Sequence, residues 1–252
     1  MGEYEPHPIV WTRERVSRLW AYYGALPGQE QLYFTAHSGA SVLRFVREHV
    51  PLEGKLVLDF GCGRGSLLKR MVANGVACQG LEFSEASARE AERTVGSSPL
   101  FRGVVRAGAL PAPIPDASVD VVLFVEVIEH LLPEDLQPTL AEIRRVLRPG
   151  GHVVVTTPHA EDLAALMLHC PECGSTYHRW QHLRSFRAAD LSSLMTSAGF
   201  EQDLCTPLTF TMETSRKAGL VRGLLSAYAR LRHGPPPHPH LAFVGRRPST
   251  GA

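Results

Sequence analysis

The sequence predicts an α/β fold: a doubly wound, Rossmann-like, mostly parallel sheet with helices on both faces. Three observations carry this. Short β-branched runs alternate with helical stretches from Lys55 to Thr157, as in a parallel sheet whose crossovers cover both faces. Val119–Val125 is almost wholly apolar, as expected of a strand buried on both sides. The first strand of the series runs directly into a glycine-rich turn, Asp59-Phe60-Gly61-Cys62-Gly63-Arg64-Gly65, that opens a helix.

Taken in order, two helices at Thr12–Tyr23 and Ala36–Val50 are expected to form an N-terminal helical cap (residues 1–50) over the edge or mouth of a main domain, residues 51–252. Lys55–Phe60 is the first strand and Ser66–Ala73 its helix. Val76–Phe83 is the second strand, followed by Ser84 as N-cap of an Ala- and Glu-rich helix reaching Thr94. Val104–Arg106 is a weak third strand and Val119–Val125 the fourth. Leu136–Leu147 has helical periodicity and stops at Arg148-Pro149-Gly150-Gly151. His152–Thr157 is the fifth strand, ended by Pro158, and an insert (159–186) follows it. Between Ser215 and Arg232 the residues Leu220, Val221, Leu224, Leu225, Tyr228 and Leu231 recur at three- and four-residue spacing. This reads as a basic amphipathic helix (215–232) packed on the core with a solvated basic face. Gly234–His240 is a stiff, non-helical connector, and Leu241–Val244 a short final strand.

The chain has 252 residues, 44% hydrophobic and 20% charged, enough for one large domain with a buried core and incompatible with global disorder. A net charge of +1 gives no overall argument for nucleic acid, although residues 206–252 hold seven basic residues against the single acid Glu213. No apolar run approaches the ~20 residues of a membrane span. Five thinly spread cysteines argue against a disulfide framework. With an N-terminus unlike a signal peptide, they set the expectation of a cytoplasmic protein.

Ligands of such sheets bind beyond the C-terminal strand ends. There, glycines on alternate positions let a ligand approach the backbone, and the helix N-terminus presents unpaired N–H groups. Glu82 ends the second strand 17 residues beyond Gly65, where a carboxylate can accept both hydroxyls of a ribose. An adenosine-containing cofactor follows, with NAD among the candidates. The dinucleotide fingerprint, however, requires Gly or Ala where Ser66 stands. Asp59 would repel a pyrophosphate and attract an amino group, which favours a ligand with an amino acid tail.

Five blocks then stand in order: VLDFGCGRG at Val57–Gly65, GLEFS at Gly80–Ser84, IPDASVDVVLFVEVIEHL at Ile114–Leu131, EIRRVLRPGGHVVVTTP at Glu142–Pro158 and HLRSFRAADLSSLMTSAGF at His182–Phe200. In these the sequence resembles a class I S-adenosylmethionine-dependent methyltransferase. The branch resembled is that of ubiquinone-pathway O-methyltransferases, with an echo of small-RNA 2′-O-methyltransferases. The resemblance implies that Asp59, Gly61 and Gly63 surround the methionine moiety, with Cys62 packed under the cofactor. It implies that Glu82 holds the ribose, Phe83 lies beside the adenine, and Val125 and Glu126 line the methyl-donor pocket. The family's Gly-Asp pair before the Leu-Pro segment is Ala107-Gly108 here, so a backbone carbonyl or the Arg106 region would replace that adenine contact.

Methyl transfer to a hydroxyl needs alignment, a dry site and removal of the acceptor's proton. His130, after the fourth strand, is the candidate base; its bland reading is a helix-start histidine held by hydrogen bonds. Two metal sets compete. Glu126, Glu129 and His130 with His182 have the ligand spacing of the small-RNA methyltransferases and suit Mg²⁺, Mn²⁺ or Zn²⁺. Cys170, Cys173, His178 and His182 have zinc-knuckle spacing and would staple the insert; the bland reading is two reduced thiols in a loop. His159 reads as a turn histidine, and Cys78 and Cys205 as strand residues.

The expected activity is therefore S-adenosyl-L-methionine-dependent methylation (EC 2.1.1 class) of a small-molecule acceptor, with a hydroxyl oxygen as the first choice. Trp11, Trp20, Tyr22, Tyr23, Tyr33, Phe34, Tyr177 and Trp180 are candidates for an apolar acceptor pocket. The alternatives are a metal-assisted RNA 2′-O-methyltransferase and a non-catalytic, zinc-stapled binding protein on the same fold.

Overall fold

The computed structural model describes residues 5–26, 33–211 and 239–249. Helices α1 (Arg13–Ala25) and α2 (Phe34–His49) lead into the sheet. Its strands are β2 (Leu56–Phe60), β3 (Ala77–Glu82), β4 (Phe101–Arg106), β5 (Val119–Val125), β6 (Leu147–Pro158), β9 (Glu201–Leu208) and β10 (His240–Arg246). Helices α3 (Ser66–Ala73), α4 (Glu85–Val95), α5 (Pro133–Val146) and α6 (Ala188–Ser197) alternate with them. The seven strands lie in the order β4-β3-β2-β5-β6-β10-β9. The first five are parallel, and β10 runs antiparallel to both β6 and β9. This is the doubly wound architecture expected, with an antiparallel strand near one edge. The chain winds outward from β2 to β4, then returns to place β5 on the other side of β2, which creates a switch point between β2 and β5.

Alternation along each strand divides the core. Leu56, Leu58 and Phe60, with Val122, Phe124, Val153, Val155 and Phe243, pack against Leu140 and Ile143 of α5 and Leu191 and Met195 of α6. Val57, Val121, Leu123, Val125 and Val154 face Val42, Leu43 and Val46 of α2 and Leu67, Leu68 and Met71 of α3. Helix α2 is thus one of the layers covering the sheet, and the expected boundary at residue 50 cuts through a shared core. Of the two described N-terminal helices, α1 lies outside it as a cap, begun by Thr12, whose side chain accepts the Arg15 N–H.

Several bounds differ from expectation for identifiable reasons. Helix α5 starts at Pro133, where a first-turn proline has no need of its missing N–H. The Arg148-Pro149-Gly150-Gly151 stretch, expected as a stop, belongs to β6; the register against β5 shifts between Val119 and Val121 to absorb it. A three-stranded sheet in the order β1-β8-β7 had no sequence signal: β1 (His7–Pro8), β7 (Met167–His169) and β8 (Ser175–His178). The basic helix expected at 215–232 lies outside the described residues, as does most of the 234–240 connector.

At Gly245 an added Cβ would stand 2.6 Å from the Glu201 carbonyl oxygen and 2.6 Å from the Phe243 ring. Gly245→Ala is expected to cost about 1–3 kcal/mol through overpacking, seen as an earlier midpoint in a denaturant titration with unchanged slope.

Candidate active site

The turn after β2 is held by its neighbours. The Gly61 and Cys62 N–H groups donate to the Leu81 carbonyl at 2.9 and 3.0 Å. The Gly63 N–H donates to Glu82 Oε2 at 2.8 Å, while Glu82 Oε1 accepts from Phe83 and Ser84 N–H at 2.9 and 2.8 Å. Gly61, Gly63 and Gly65 have φ of 84°, 53° and 82°, a region that L side chains rarely enter. A Cβ on Gly61 would meet Val127 at 2.8 Å, and one on Gly63 would meet the Tyr33 ring at 3.2 Å. The glycines therefore keep open a cradle that any side chain would fill.

Asp59 is buried at the base of this cradle. Burial, and then the charge of Glu82, push its carboxyl up to about 7. Burial also raises Glu82, against the three N–H bonds that favour its charge. Cys62 is buried beneath the turn, and burial drives its thiol well up. Val125 is buried at the end of β5, and Phe83 is 47% exposed beside Phe60. Arg106 is tied to Glu92 at 2.6 Å and Glu85 at 3.4 Å, which takes its guanidinium out of the adenine role left open for that region. The Ala107 N–H is used by the Glu82 carbonyl.

Across the switch point, Glu126 follows β5 at φ 53° and accepts a hydrogen bond from Thr156 Oγ1 at 2.8 Å. Burial brings it up to about 7. Glu129 is 1% exposed; burial and then the charge of Glu126 push it well above the carboxylate range. Its Oε2 accepts from Thr157 at 3.0 Å and its Oε1 has no hydrogen-bond partner. His130 Nε2 stands 3.8 Å from that oxygen, and His130 Nδ1 is buried without a partner. Burial, then the neighbouring His182, push His130 down to about 3, so its ring is neutral at ordinary pH. Backbone groups of Gln181 and Trp180 also hydrogen-bond the ring, so the reading of His130 as a histidine held by hydrogen bonds is met in part.

The roof over His130 comes from α1 and the insert. Trp20 meets the His130 ring edge-on, 5.0 Å between centroids. Its Nε1 donates to Gln181 Oε1 at 3.2 Å, and Gln181 Nε2 donates to the His130 carbonyl at 2.8 Å. Tyr23 contacts both Trp20 and Trp180. Tyr22, in contrast, is 61% exposed, and Phe34 packs with Phe210 and His240 away from this roof. His182 stacks on His178, lies edge-on to His130, and holds Glu161 Oε2 with Nδ1 at 2.5 Å. Neither Gln181 nor Glu161 carried a sequence signal.

Among the described residues two groups bring metal-competent atoms within 4.8 Å of one another: Glu129, His130 and His182, and Glu161, His178 and His182. Glu126 is in neither. The Cys170, Cys173, His178, His182 set is not brought together. Both cysteines sit at the turn of the β7–β8 hairpin, whereas extended β8 carries His178, opposite Met167, about 10 Å along the strand. His178 Nδ1 accepts the His182 N–H at 3.1 Å, and its Nε2, which has no hydrogen-bond partner, faces Glu161 Oε1 at 3.7 Å rather than the cysteines.

The methyltransferase-domain family matches residues 34–204, more than half the chain and all of strands β2, β3, β4, β5 and β6. The chain is a class I S-adenosylmethionine-dependent methyltransferase. It is 30% identical over 189 residues to a ubiquinone biosynthesis O-methyltransferase of Ralstonia nicotianae, covering 70% of this chain and 75% of that one. A Mycolicibacterium smegmatis protein named as an S-adenosylmethionine-dependent methyltransferase is 35% identical over 148 residues, 59% of this chain but only 52% of its own length. Among solved structures, a 1,6-didemethyltoxoflavin-N1-methyltransferase of Burkholderia thailandensis, bound to its substrate and S-adenosylhomocysteine, superposes with a TM-score of 0.62. It is 18% identical and covers 97% of this chain and 99% of that one, a likeness of fold. The methyltransferase cofactor fits the residues present: a buried, uncompensated Asp59 for an ammonium, and a glycine cradle beside Glu82. No helix among the described residues is long and apolar enough to cross a membrane.

Proposed function

We propose that this methyltransferase methylates a hydroxyl oxygen on a small, largely apolar acceptor. The observation that carries the reading is the pair Glu129 and His130. Glu129 is buried and His130 partly buried just beyond β5, with Glu129 Oε1 and His130 Nδ1 lacking a hydrogen-bond partner, beneath the Trp20–Tyr23–Trp180 roof. Relatives named ubiquinone biosynthesis O-methyltransferase support the choice of oxygen. When bound, S-adenosylmethionine supplies a methyl group on a sulfonium, reactive enough that alignment is the main demand. Asp59 holds the donor's amino group with Gly61 and Gly63 around the methionine moiety, Glu82 holds the ribose, and Phe83 covers the adenine. Val125 and Glu126 wall the methyl-donor side. The aromatic roof excludes water from the acceptor, and Glu129 with His130 receives the hydroxyl proton.

A second reading rests on the same residues. Glu129, His130 and His182 form one carboxylate and two imidazoles close enough for a divalent ion, which would acidify an acceptor hydroxyl. Five cysteines present as free thiols fit a reducing, cytoplasmic setting.

The test offers the protein S-adenosylmethionine with phenols and catechols, with aromatic amines, and with short RNAs, following S-adenosylhomocysteine release and product mass. Methylation confined to phenolic or catecholic oxygen is the expected result. Transfer only to amines or to an RNA ribose would overturn the acceptor class, and chelator-sensitive transfer would favour the metal-assisted route.

A further inference from the structure

We infer that the tip of the β7–β8 hairpin, together with strand β1, is a zinc-binding site made by Cys170, Cys173 and His7. It lies on a different sheet from the methyl-transfer centre and does not depend on the acceptor proposed above.

The turn is already folded as a ligand loop. The Cys170 N–H donates to the Ser175 carbonyl at 2.9 Å, and the Gly174 N–H closes back on the Cys170 carbonyl at 3.0 Å. Gly174 makes the bend possible at φ 82°. The side chains of Cys170 and Cys173 are within hydrogen-bonding reach of one another. Two thiols are half of a tetrahedral zinc set.

The third donor arrives from the other end of the chain. Strand β1 lies parallel to β8, with His7 opposite Ser175 and the His7 N–H donating to the Gly174 carbonyl at 3.0 Å. That pairing presses the His7 imidazole onto the turn, so a Cβ on Gly174 would meet His7 Nδ1 at 3.3 Å. The Ser175 hydroxyl stands between the donors. Its Oγ accepts from the Cys173 thiol at 3.2 Å and lies 3.4 Å from His7 Nε2. Zinc bonds of about 2.3 Å to sulfur and about 2.0 Å to nitrogen are shorter than these two contacts, and the donor atoms of Cys170, Cys173 and His7 do not all lie within 4.8 Å of one another as they stand. An ion takes the hydroxyl's place as the bridge once the Ser175 side chain turns out of the gap and the exposed His7 ring turns in toward the two thiols, leaving its fourth position to water.

The surroundings explain what the ion would do. Strand β1 has two residues, and all three residues of β7 are exposed. Leu166, Met167 and Leu168 are 37–45% exposed, so apolar burial contributes little to holding this sheet. Such small sheets are marginal without a core or a staple. Zinc at Cys170, Cys173 and His7 would fasten the N-terminal segment to the insert, and through Trp11 against Tyr177 would fix the entry to α1.

The experiment titrates the reduced, metal-free full chain with Co²⁺ under argon. One equivalent is expected to bind with a near-ultraviolet thiolate-to-cobalt absorption that Zn²⁺ displaces. Cys170→Ser and Cys173→Ser should each abolish that absorption. His7→Ala should weaken binding at least tenfold, and His178→Ala should leave it unchanged. An ion at Glu129, His130 and His182 has no sulfur ligand and cannot produce the band. Far-ultraviolet circular dichroism on every variant reports whether the main sheet is intact. The inference fails if the wild-type chain shows no thiolate absorption. It also fails if His7→Ala binds normally, or if His178→Ala loses the band while remaining folded.

Discussion

Replacing Asp59 by Asn should weaken S-adenosylmethionine binding about a hundredfold and, at the same time, raise the stability of the ligand-free protein. Both effects come from one buried carboxyl. Its pKa stands at 3.8 in an exposed setting and at about 7 in the fold, through burial first and the charge of Glu82 second. Between those values the native chain keeps a proton that the unfolded chain has lost, so stability falls as pH rises through this window. It is full below 3.8 and lost above about 7. Ionising Asp59 in the native state therefore costs on the order of 4 kcal/mol. Asn carries no charge, so the variant should melt several degrees above wild type at pH 8 and at the same temperature near pH 4. The binding loss has the opposite origin. A donor ammonium beside Asp59 removes the reason for its raised pKa, and an amide cannot replace that charge-assisted contact, worth about 3 kcal/mol or a hundredfold in affinity. Wild-type binding should tighten from pH 6 to 8 with proton release, whereas Asp59→Asn should bind weakly and without pH dependence. Calorimetry in buffers of different ionisation enthalpy, beside melting curves at the two pH values, reads both. A variant no more stable than wild type at pH 8 would show that Asp59 is not under this strain.

Where the sequence pattern was determined by burial on two faces, it could be read almost to the residue. Val119–Val125 and Ser66–Ala73 have the bounds their apolar runs suggest, because central strands and the helix over them leave no other arrangement for those side chains. Strand β9 was less visible. Its first three residues, Glu201, Gln202 and Asp203, are exposed at the sheet's edge, and Pro207 interrupts the propensity. The β1-β8-β7 sheet joins His7 to Ser175, a pairing without periodicity. The candidate site divides in the same way. Asp59 and Glu82 stand in the last residues of β2 and β3, Glu126, Glu129 and His130 follow β5, and topology alone carries such positions to the C-terminal edge of the sheet. Glu161 and Gln181 reach the same centre only because the insert folds back over it. The Cys-x₂-Cys and His-x₃-His spacing misled for a physical reason: an extended strand between the two pairs keeps them apart.

The ionisation of the acceptor side leads to the second large effect. His130, pushed down to about 3, is neutral across the whole working range and cannot give the rate a pH limb near neutrality. The carboxylates can. Burial lifts Glu126 to about 7, and burial with the Glu126 charge pushes Glu129 well above the carboxylate range, so near neutrality the pair keeps a proton. As that proton leaves, Glu129 gains the capacity to accept one from the acceptor hydroxyl. The value of kcat should therefore climb from pH 6 into the alkaline range. Glu129→Gln should remove that climb and lower kcat at pH 8 by about a hundredfold or more. His130→Ala should lower kcat by a comparable factor, because the acceptor loses the imidazole that adjoins Glu129 Oε1 at 3.8 Å, yet keep the alkaline rise. Neither change touches Asp59 or the glycine cradle, so S-adenosylmethionine affinity should stay within a few-fold of wild type. The split matters more than either loss. If His130→Ala flattened the profile, the imidazole would be the titrating base. If Glu129→Gln, His130→Ala and His182→Ala were equally inactive and the wild-type enzyme sensitive to chelator, the three side chains would be acting as ligands of one ion.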